Sequence, residues 1–273
     1  MDISVIISTY NAPEWLEKVI WGYEAQLYKN FEIVVADDGS NETTADLIRQ
    51  YQKKNKLDIK HVWQPDNGFQ KCKIMNQSIL AAKADYLVFS DGDCIPRNDF
   101  LQQHVNHRQI GYFLSGGYSK LNMEGSHRIT REQILNGDAF DPDFLTTCGL
   151  KNRWSSKHCA KGKWVEVLNF LTPTKPTWNG HNASCFKSDA LTTCGFDERM
   201  VYGGEDREFG ERLFNLGLKS KQIRYSAICI HLDHNRKYVT REGIDFNKSI
   251  RSKTKIEKRT KTTHGIRKTS NAN

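Results

Sequence analysis

Residues 86–93 read Tyr-Leu-Val-Phe-Ser-Asp-Gly-Asp, an apolar stretch that ends in two carboxylates separated by a glycine. A short run of this kind, bounded by Asp and Gly, predicts a buried strand that stops at a tight turn. Two carboxylates on such a turn suit a hard divalent cation such as Mg²⁺ or Mn²⁺. A solvated Asp-Gly turn is the competing interpretation, because turns favour these residues in any case.

Two earlier apolar runs also end in polar residues. Residues 3–7 lead into Ser8-Thr9-Tyr10-Asn11, and residues 31–36 lead into Asp37-Asp38-Gly39-Ser40. The carboxyl ends of parallel strands lie at one edge of a sheet, where ligands bind in such folds. We therefore expect these two polar clusters to converge with the acids after residue 90. One of the paired aspartates is expected only to cap the following helix.

Helical periodicity fills the intervals between these runs. The predicted helices cover residues 13–23, 43–53 and 71–82, and a further strand is predicted at 59–63. Strands that alternate with helices of this length predict an α/β fold with a mostly parallel sheet flanked by helices.

The second half of the chain has a less regular pattern. Gly, Asn and Trp are frequent between residues 111 and 182, which predicts long loops and an acceptor-facing surface. A helix is predicted at 205–216 and a strand at 223–230, the latter ending at His231. We expect one domain over residues 1–250, composed of the halves 1–110 and 111–250.

The formal net charge of +8 is concentrated near the C-terminus, where residues 251–268 contain eight Lys or Arg and one acid. The rest of the chain is close to neutral, so the overall charge does not support nucleic-acid binding. Residues 251–273 are expected to form a flexible basic tail, which either remains solvated or contacts an anionic membrane.

The seven cysteines are odd in number and lack the C-x-x-C spacing of zinc or redox sites. Unpaired thiols are typical of a reducing compartment. The sequence contains no run of 18 apolar residues that could cross a bilayer. These features predict a cytoplasmic protein, at most associated with the inner face of the membrane.

Two further clusters carry groups suited to catalysis. Gly203-Gly204 precedes Glu205-Asp206 at a predicted helix start, where the acids either act as first-turn residues or include a general base. His231-Leu232-Asp233-His234 follows the last strand. Either histidine could complete a mixed Asp/His site for Mn²⁺, whereas a solvated surface histidine is the ordinary alternative.

Taken together, these motifs resemble family-2 glycosyltransferases of GT-A fold. The resemblance rests on "ISVIISTYNAPEWLEKVI", "FEIVVADDGSNETTADLI", "YLVFSDGDCIPRNDFL" and "WNGHNASCFKSDALTTCGFDERMVYGGEDREFGERLFNLG", in that order. It covers roughly residues 3–236 and implies a nucleotide-sugar-binding half over residues 1–110 and an acceptor half over residues 111–250. The last segment is similar to the galactosyltransferase-like branch that includes chondroitin-polymerase and β-1,4-galactosyltransferase domains.

The resemblance implies roles for individual residues. In the donor site, it implies that the nucleoside pocket is lined by Ser8, Thr9, Tyr10 and Asn11 and that Asp38 contacts the uracil. Basic groups near the donor would come from Lys71 and Lys73. Asp91 would contact the ribose, and Asn182 would lie near the donor sugar. The implied metal ligands are Asp93 and His231, with His234 an open candidate. Glu205 and Asp206 match the acidic pair at the acceptor site, with Asp206 as the base.

The sequence departs from the family pattern at two positions. Tyr202 stands where a tryptophan often precedes the two glycines, and His181 interrupts a common Gly-Gly-Asn near the donor sugar. The acceptor platform and the identity of the donor sugar are therefore left open.

The resemblance implies an inverting, Mn²⁺- or Mg²⁺-dependent transfer of a hexose or N-acetylhexosamine. The donor would be a UDP-sugar and the acceptor a hydroxyl of a glycan or lipid-linked glycan, in capsule or lipopolysaccharide synthesis. Two alternatives remain, a nucleotidyltransferase acting on sugar phosphates and a non-catalytic glycan-binding protein. The first is disfavoured because residues 9–13 lack a Gly-rich phosphate loop.

Overall fold

Four parallel strands joined by helices form the first half of the main sheet. The computed structural model describes residues 1–150, 157–160, 162–174, 177–235 and 239–267. The first elements are β1 (Ile3–Thr9), α1 (Pro13–Glu24), β2 (Phe31–Asp37), α2 (Glu42–Lys54), β3 (Asp58–Trp63), α3 (Lys71–Ala81) and β4 (Tyr86–Asp91). The elements predicted from the sequence are confirmed here, with boundaries that agree within about two residues.

The remaining strands are short and belong to two sheets. They are β5 (Cys94–Pro96), β6 (Tyr112–Ser115), β7 (Gly117–Lys120), β8 (Ala183–Phe186), β9 (Lys219–Gln222) and β10 (Ile228–His231). The main sheet has the order β3-β2-β1-β4-β8-β6-β9, with β8 antiparallel to both neighbours. The small sheet has the order β5-β10-β7. The predicted α/β fold with a mostly parallel sheet is confirmed.

The central strands are apolar on both faces because both faces of the sheet are covered. Along β1, Ile7 enters one hydrophobic core and Ile6 enters the other, and both side chains are fully buried. Val88 and Phe89 of β4 divide in the same way. Each such side chain contributes about 1.5–3 kcal/mol through burial, so the polar strand ends are held on a rigid support.

The region between residues 111 and 182 is more regular than the sequence predicted. The helices that follow α3 are α4 (Phe100–His107), α5 (Met123–Arg128), α6 (Arg131–Asn136), α7 (Pro142–Thr147), α8 (Lys163–Leu171), α9 (Lys187–Thr192), α10 (Glu205–Asn215) and α11 (Arg241–Ile256). The prediction of long loops is wrong for α5 to α8. Local capping explains part of the difference, since Thr130 and Gln133 form a capping box that begins α6.

The strand predicted at 223–230 is also wrong in extent. β9 ends at Gln222, and β10 begins only at Ile228 in the other sheet. Between them the chain turns, because the amides of Ser226 and Ala227 both donate to the carbonyl of Ile223. An apolar run thus contains a sheet change that its periodicity does not reveal.

The C-terminal segment is the largest departure from expectation. α11 continues through the predicted boundary at 250, and Ile250 and Thr254 are both buried. The chain then folds back, so that Ile266 packs against the core and its amide donates to Cys194. A flexible tail is therefore wrong for residues 251–267, and residues 268–273 lie outside the described part. None of the helices in the described residues is long and apolar enough to cross a membrane.

Candidate functional site

The strand register brings the polar strand ends together, as predicted. Thr9 is paired with Asp37 across β1 and β2, and Ser8 is paired with Asp91 across β1 and β4. The Ser8 hydroxyl donates to Oδ1 of Asp91 at 2.6 Å, and Nζ of Lys71 lies 2.8 Å from the same oxygen. The charge of Lys71 holds the pKa of Asp91 below its ordinary value despite burial. Asp91 is therefore an ionised carboxylate that already has two partners.

The two aspartates after β2 have different surroundings. Asp37 is fully buried and accepts from the amide of Ser40 and from the ring of His61, which closes the turn. Asp38 accepts from the Gln64 side chain at 2.7 Å and from the Gln70 amide at 2.9 Å. A carboxylate oxygen can accept more than one hydrogen bond, so Asp38 retains capacity for a base N–H.

The first polar cluster forms the rim beside Asp38. The Tyr10 ring is 46% exposed, and its hydroxyl donates to Asp66. Asn11 has a φ of 46° and accepts from the amide of Asn41 through its side chain. The Thr9 hydroxyl is buried and has no hydrogen-bond partner among the described residues. Tyr10 thus offers an open face for stacking, and Asn11 fixes the turn.

Only one of the two predicted lysines reaches the cluster. Lys71 is the first residue of α3. Burial alone would lower its pKa, but the charges of Asp91, Asp206 and Glu205 raise it well above the ordinary value. Lys73 is exposed, two positions further along the same helix. Residues two apart on a helix do not share a face. Lys73 therefore does not share the helix face of Lys71, and its assignment to the donor site stays a prediction.

A second cluster surrounds Asp93. β10 pairs with β5 so that His231 lies opposite Cys94, the residue after Asp93. Nε2 of His231 and Nε2 of His234 lie 3.8 Å and 2.9 Å from Oδ2 of Asp93. Asp93, Cys94 and His231 together form a group that could hold a metal ion. Burial raises the pKa of the Cys94 thiol well above its ordinary value, so Cys94 would become a ligand only by releasing its proton.

The two histidine side chains fit a divalent cation. Nδ1 of His231 lies 2.8 Å from the carbonyl of Leu232, and Nδ1 of His234 lies 3.0 Å from the carbonyl of Asn235. A carbonyl only accepts, so each Nδ1 carries a proton, and each Nε2 is directed at Oδ2 of Asp93. A carboxylate oxygen and two imidazole nitrogens directed at one point are a donor set suited to Mn²⁺ once the cation takes the place of any proton on Nε2.

The acidic pair begins α10. Gly203 and Gly204 have φ values of 109° and 99°, which only glycine adopts readily. The Gly203 amide donates to Glu205 at 2.8 Å. Burial and then the charge of Asp206 raise the pKa of Glu205 to about 7, against the opposing charge of Lys71. Burial also raises the pKa of Asp206, and Lys71 again lowers it. Glu205 is nearly covered and Asp206 is more open.

Gly180 sets the position of the Asp206 carboxylate. A Cβ atom at Gly180 would lie 2.5 Å from each carboxylate oxygen of Asp206, much closer than van der Waals contact allows. The backbone of Gly180 hydrogen-bonds this carboxylate and lowers its pKa. The glycine therefore allows the acid to rest directly against the main chain.

His181 lies between the cluster around Asp91 and the cluster around Asp93. No role in the site was assigned to this residue from the sequence. Its ring packs edge-on against Tyr118, with centroids 4.5 Å apart, and lies 6.0 Å from the ring of His231. Burial lowers its pKa to about 4, while the charges of Asp91 and Asp93 act in the opposite direction. Its buried Nε2 has no hydrogen-bond partner among the described residues. The only signal in the sequence was the interruption of Gly-Gly-Asn.

The side chain of Asn182 makes its contacts within the protein. It is fully buried, and its Nδ2 donates to the carbonyls of Gly117 and Ala227 at 2.8 and 3.0 Å. Its Oδ1 lies 3.1 Å from Nε2 of His104. The polar atoms of this side chain hold neighbouring segments together, and its assignment to the donor site stays a prediction.

The sequence model of the family described as glycosyl transferase family 2 matches residues 4–155. The chain belongs to this family. The match includes Asp38, Asp91 and Asp93, whereas Asp206 and His231 lie beyond it. The likeness to family 2 expected from the sequence is confirmed.

Relatives of this family 2 chain include enzymes of different sizes. It is 30% identical to chondroitin synthase of Pasteurella multocida (strain Pm70), over 79% of the chain and 23% of the relative. It is 34% identical to validoxylamine A glucosyltransferase of Streptomyces hygroscopicus subsp. jinggangensis (strain 5008), over 82% of the chain and 54% of the relative. The chain thus spans about half or less of these proteins.

Solved structures of glycosyltransferases share the fold. S. aureus TarS 1-349 in complex with UDP superposes with a TM-score of 0.61 at 16% identity, over 94% of this chain and 68% of that one. The mannosyltransferase PcManGT from Pyrobaculum calidifontis, in complex with GDP-Man and Mn²⁺, gives 0.59 at 18% identity, over 86% and 58%. The family 2 chain therefore has the GT-A fold.

Proposed function

We propose that this chain transfers a hexose or N-acetylhexosamine from a UDP-sugar to a hydroxyl of a glycan, with inversion at the anomeric carbon. The observation that carries the proposal is the position of Asp91. Its charge acts on Asp206 on one side and on His181, beside the Asp93 cluster, on the other. The nearness of both the acid pair and the candidate metal ligands to Asp91 supports a common donor cleft.

The donor is proposed to bind at the carboxyl ends of β1, β2 and β4. Tyr10 offers a ring for the base, Asp38 accepts from the uracil N–H, and Asp91 accepts from the ribose. UDP as the nucleotide is supported by the complex of the TarS 1-349 structure with UDP-GlcNAc. The mannosyltransferase with GDP-Man shows that the fold also accepts a guanine nucleotide, so the choice of base needs a direct test.

Asp93, His231 and His234 would hold Mn²⁺ or Mg²⁺. Such a cation, when bound, neutralises charge on the diphosphate leaving group. The remaining steps belong to the chain itself. Lys71 keeps Asp91 ionised, and His181 remains neutral because its pKa is lowered to about 4.

Asp206 is proposed as the general base. Its raised pKa suits a carboxylate that removes the proton of an acceptor hydroxyl. The hydroxyl oxygen forms its bond to the anomeric carbon as the bond to the UDP oxygen breaks on the opposite face. The proton remains on Asp206, and UDP departs. A glycan or lipid-linked glycan acceptor in surface polysaccharide synthesis is supported by the chondroitin and hyaluronan synthases among the relatives.

The test is release of UDP from a panel of UDP-sugars with Mn²⁺, with and without glycan acceptors. General-base catalysis contributes about 10²- to 10⁴-fold, so Asp206→Asn should lower turnover by that range. Asp46→Asn, on the exposed face of α2, is the matched control and should retain full turnover. Near-normal turnover of Asp206→Asn would remove this residue as the base. Release of pyrophosphate from UTP and a sugar phosphate would instead identify a nucleotidyltransferase.

A further inference from the structure

Helix α8 presents an apolar face to solvent. Trp164, Val167, Phe170 and Leu171 are 69%, 40%, 88% and 65% exposed. Their spacing of three, six and seven residues from Trp164 places them on one side of the helix. None of the nine residues of α8, all of which the structure describes, is buried. A soluble surface rarely displays two aromatic and two aliphatic side chains together in this way.

The orientation of α8 is fixed by its polar side. The Asn169 side chain donates to the hydroxyl of Ser226 and accepts from the amide of Tyr225, both at 2.8 Å. Arg224 donates to the hydroxyls of Thr172 and Thr174, just after the helix. These bonds seat α8 on the turn between β9 and β10. The apolar face therefore points away from the protein body.

Basic side chains lie at both ends of this face. Lys163 begins the helix and is exposed, and Arg224 lies under its end. Burial lowers the pKa of His107, the charge of Lys221 lowers it further, and the charge of Glu166 on α8 raises it, so Lys221 and Glu166 both act on His107. In sequence, residues 151–175 contain six Lys or Arg and a single acid. Two copies of this face would bring like charges together, which disfavours self-association.

We propose that α8 inserts its apolar face into the interface of an anionic phospholipid membrane. Aromatic and aliphatic side chains on one face, with lysine and arginine around them, are typical of helices that lie in the membrane plane. The lysine and arginine side chains would contact lipid phosphates while the rings enter the acyl boundary. Because α8 rests on the turn that leads to His231, docking would bring the cleft close to the lipid surface.

Vesicle co-sedimentation of the full chain tests this proposal without any donor sugar. The wild-type protein should bind vesicles of phosphatidylcholine with phosphatidylglycerol and bind pure phosphatidylcholine much more weakly. Replacing both aromatic residues, Trp164→Ser with Phe170→Ser, should weaken binding by about tenfold or more. The control Leu27→Ser with Leu80→Ser removes leucines that are 64% and 57% exposed elsewhere, and it should bind as wild type. Equal binding of the two double variants would overturn the proposal.

Two further measurements exclude other occupants. Trp164→Phe should bind normally but lose quenching by brominated lipid, which identifies α8 as the inserted element. If Lys253→Glu with Lys255→Glu on α11 abolished binding while the aromatic variant did not, α11 would be the contact instead. If the wild-type protein did not bind vesicles but formed a dimer that the aromatic variant did not form, a second copy would cover α8 and the proposal would fail. UDP release in solution should be unchanged in the aromatic variant, so this outcome is separate from the transferase proposal.

Discussion

Nε2 of His234 lies 2.9 Å from Oδ2 of Asp93 and is the histidine nitrogen closest to that oxygen in the cluster. The backbone carbonyls of Asn235 and Leu232 fix the two imidazole rings, so that both Nε2 atoms point at the carboxylate. The sequence left the participation of His234 open. Its position makes it as good a candidate ligand as His231.

Each histidine is expected to contribute to metal-dependent nucleotide binding. His231→Ala and His234→Ala should each weaken binding of UDP in the presence of Mn²⁺ by about tenfold or more, because each removes a candidate ligand. Titration calorimetry with and without the metal measures the effect. His127→Ala, on an exposed surface of α5, is the matched control. A normal affinity in His234→Ala would assign the metal to Asp93 and His231 alone.

Gly180→Ala should damage catalysis more than folding. The added Cβ would lie 2.5 Å from both oxygens of Asp206, and Asp206 stands at a helix start where it can shift. We expect turnover to fall by about 10²-fold, since a displacement near 1 Å costs that much. The KM for the donor should change little. Combining Gly180→Ala with Asp206→Asn checks the cause, because an additive loss would mean that the glycine acts elsewhere.

The stability of the protein should respond to pH through Glu205. The pKa of this carboxyl rises from its ordinary 4.5 to about 7 in the fold. Between these values the folded protein retains a proton that the unfolded chain has released, so stability falls as pH rises. Glu205→Gln removes this dependence and should match wild type near pH 4.5.

Above pH 7, the free energy of unfolding of Glu205→Gln should exceed that of the wild type by up to about 3 kcal/mol. Urea unfolding with a chelator present, repeated across this pH range, gives the difference directly. A difference that stays constant from pH 4.5 to 8 would contradict the raised pKa.

The segment after α11 should be required for stability. The Thr262 hydroxyl donates to the buried Asp197 at 2.8 Å, and the Glu198 amide donates to the His264 carbonyl at 2.7 Å. Ending the chain at Ile256 removes these bonds and the packing of Ile266, at a cost of about 3 kcal/mol or more. Lys261→Ala, which removes only an exposed charge, should unfold at the wild-type urea concentration. An unchanged midpoint in the shortened chain would restore the flexible-tail hypothesis.

The local sequence pattern was enough to predict the half of the fold that contains Asp38 and Asp91. Apolar runs ending in polar residues predicted β1, β2 and β4, and the parallel register then fixed the proximity of Ser8 and Asp91. Contacts between residues that are distant in sequence were harder to predict. The pairing of β5 with β10 joins strands of three and four residues, too short for a periodic signal. The resemblance suggested Asp93 and His231 as partners, and the site assignments made from it stay proposals until tested.

The differences between prediction and structure have physical causes. Helical geometry alone separates Lys71 from Lys73, and the motif had grouped them. The C-terminal segment was expected to be flexible because it is polar, yet polar bonds order it. Asn215 donates to the carbonyls of Thr254 and Arg259, and Arg251 pairs with Glu211. The amino-acid composition shows how few apolar residues the segment has, but it does not show which hydrogen bonds and ion pairs its polar residues form. The assignment of residues 1–110 to the donor and 111–250 to the acceptor stays a prediction.

Positions 181 and 182 are adjacent in the chain but should differ in how well they tolerate substitution, because the side-chain amide of Asn182 is buried. Its side chain joins three chain segments through His104, Gly117 and Ala227, so randomising position 182 should yield mostly misfolded clones. Position 181 is next to it, with a ring packed against Tyr118 and no such joining role. A focused library for changed sugar preference should therefore vary residue 181 together with Tyr118 and keep Asn182 fixed.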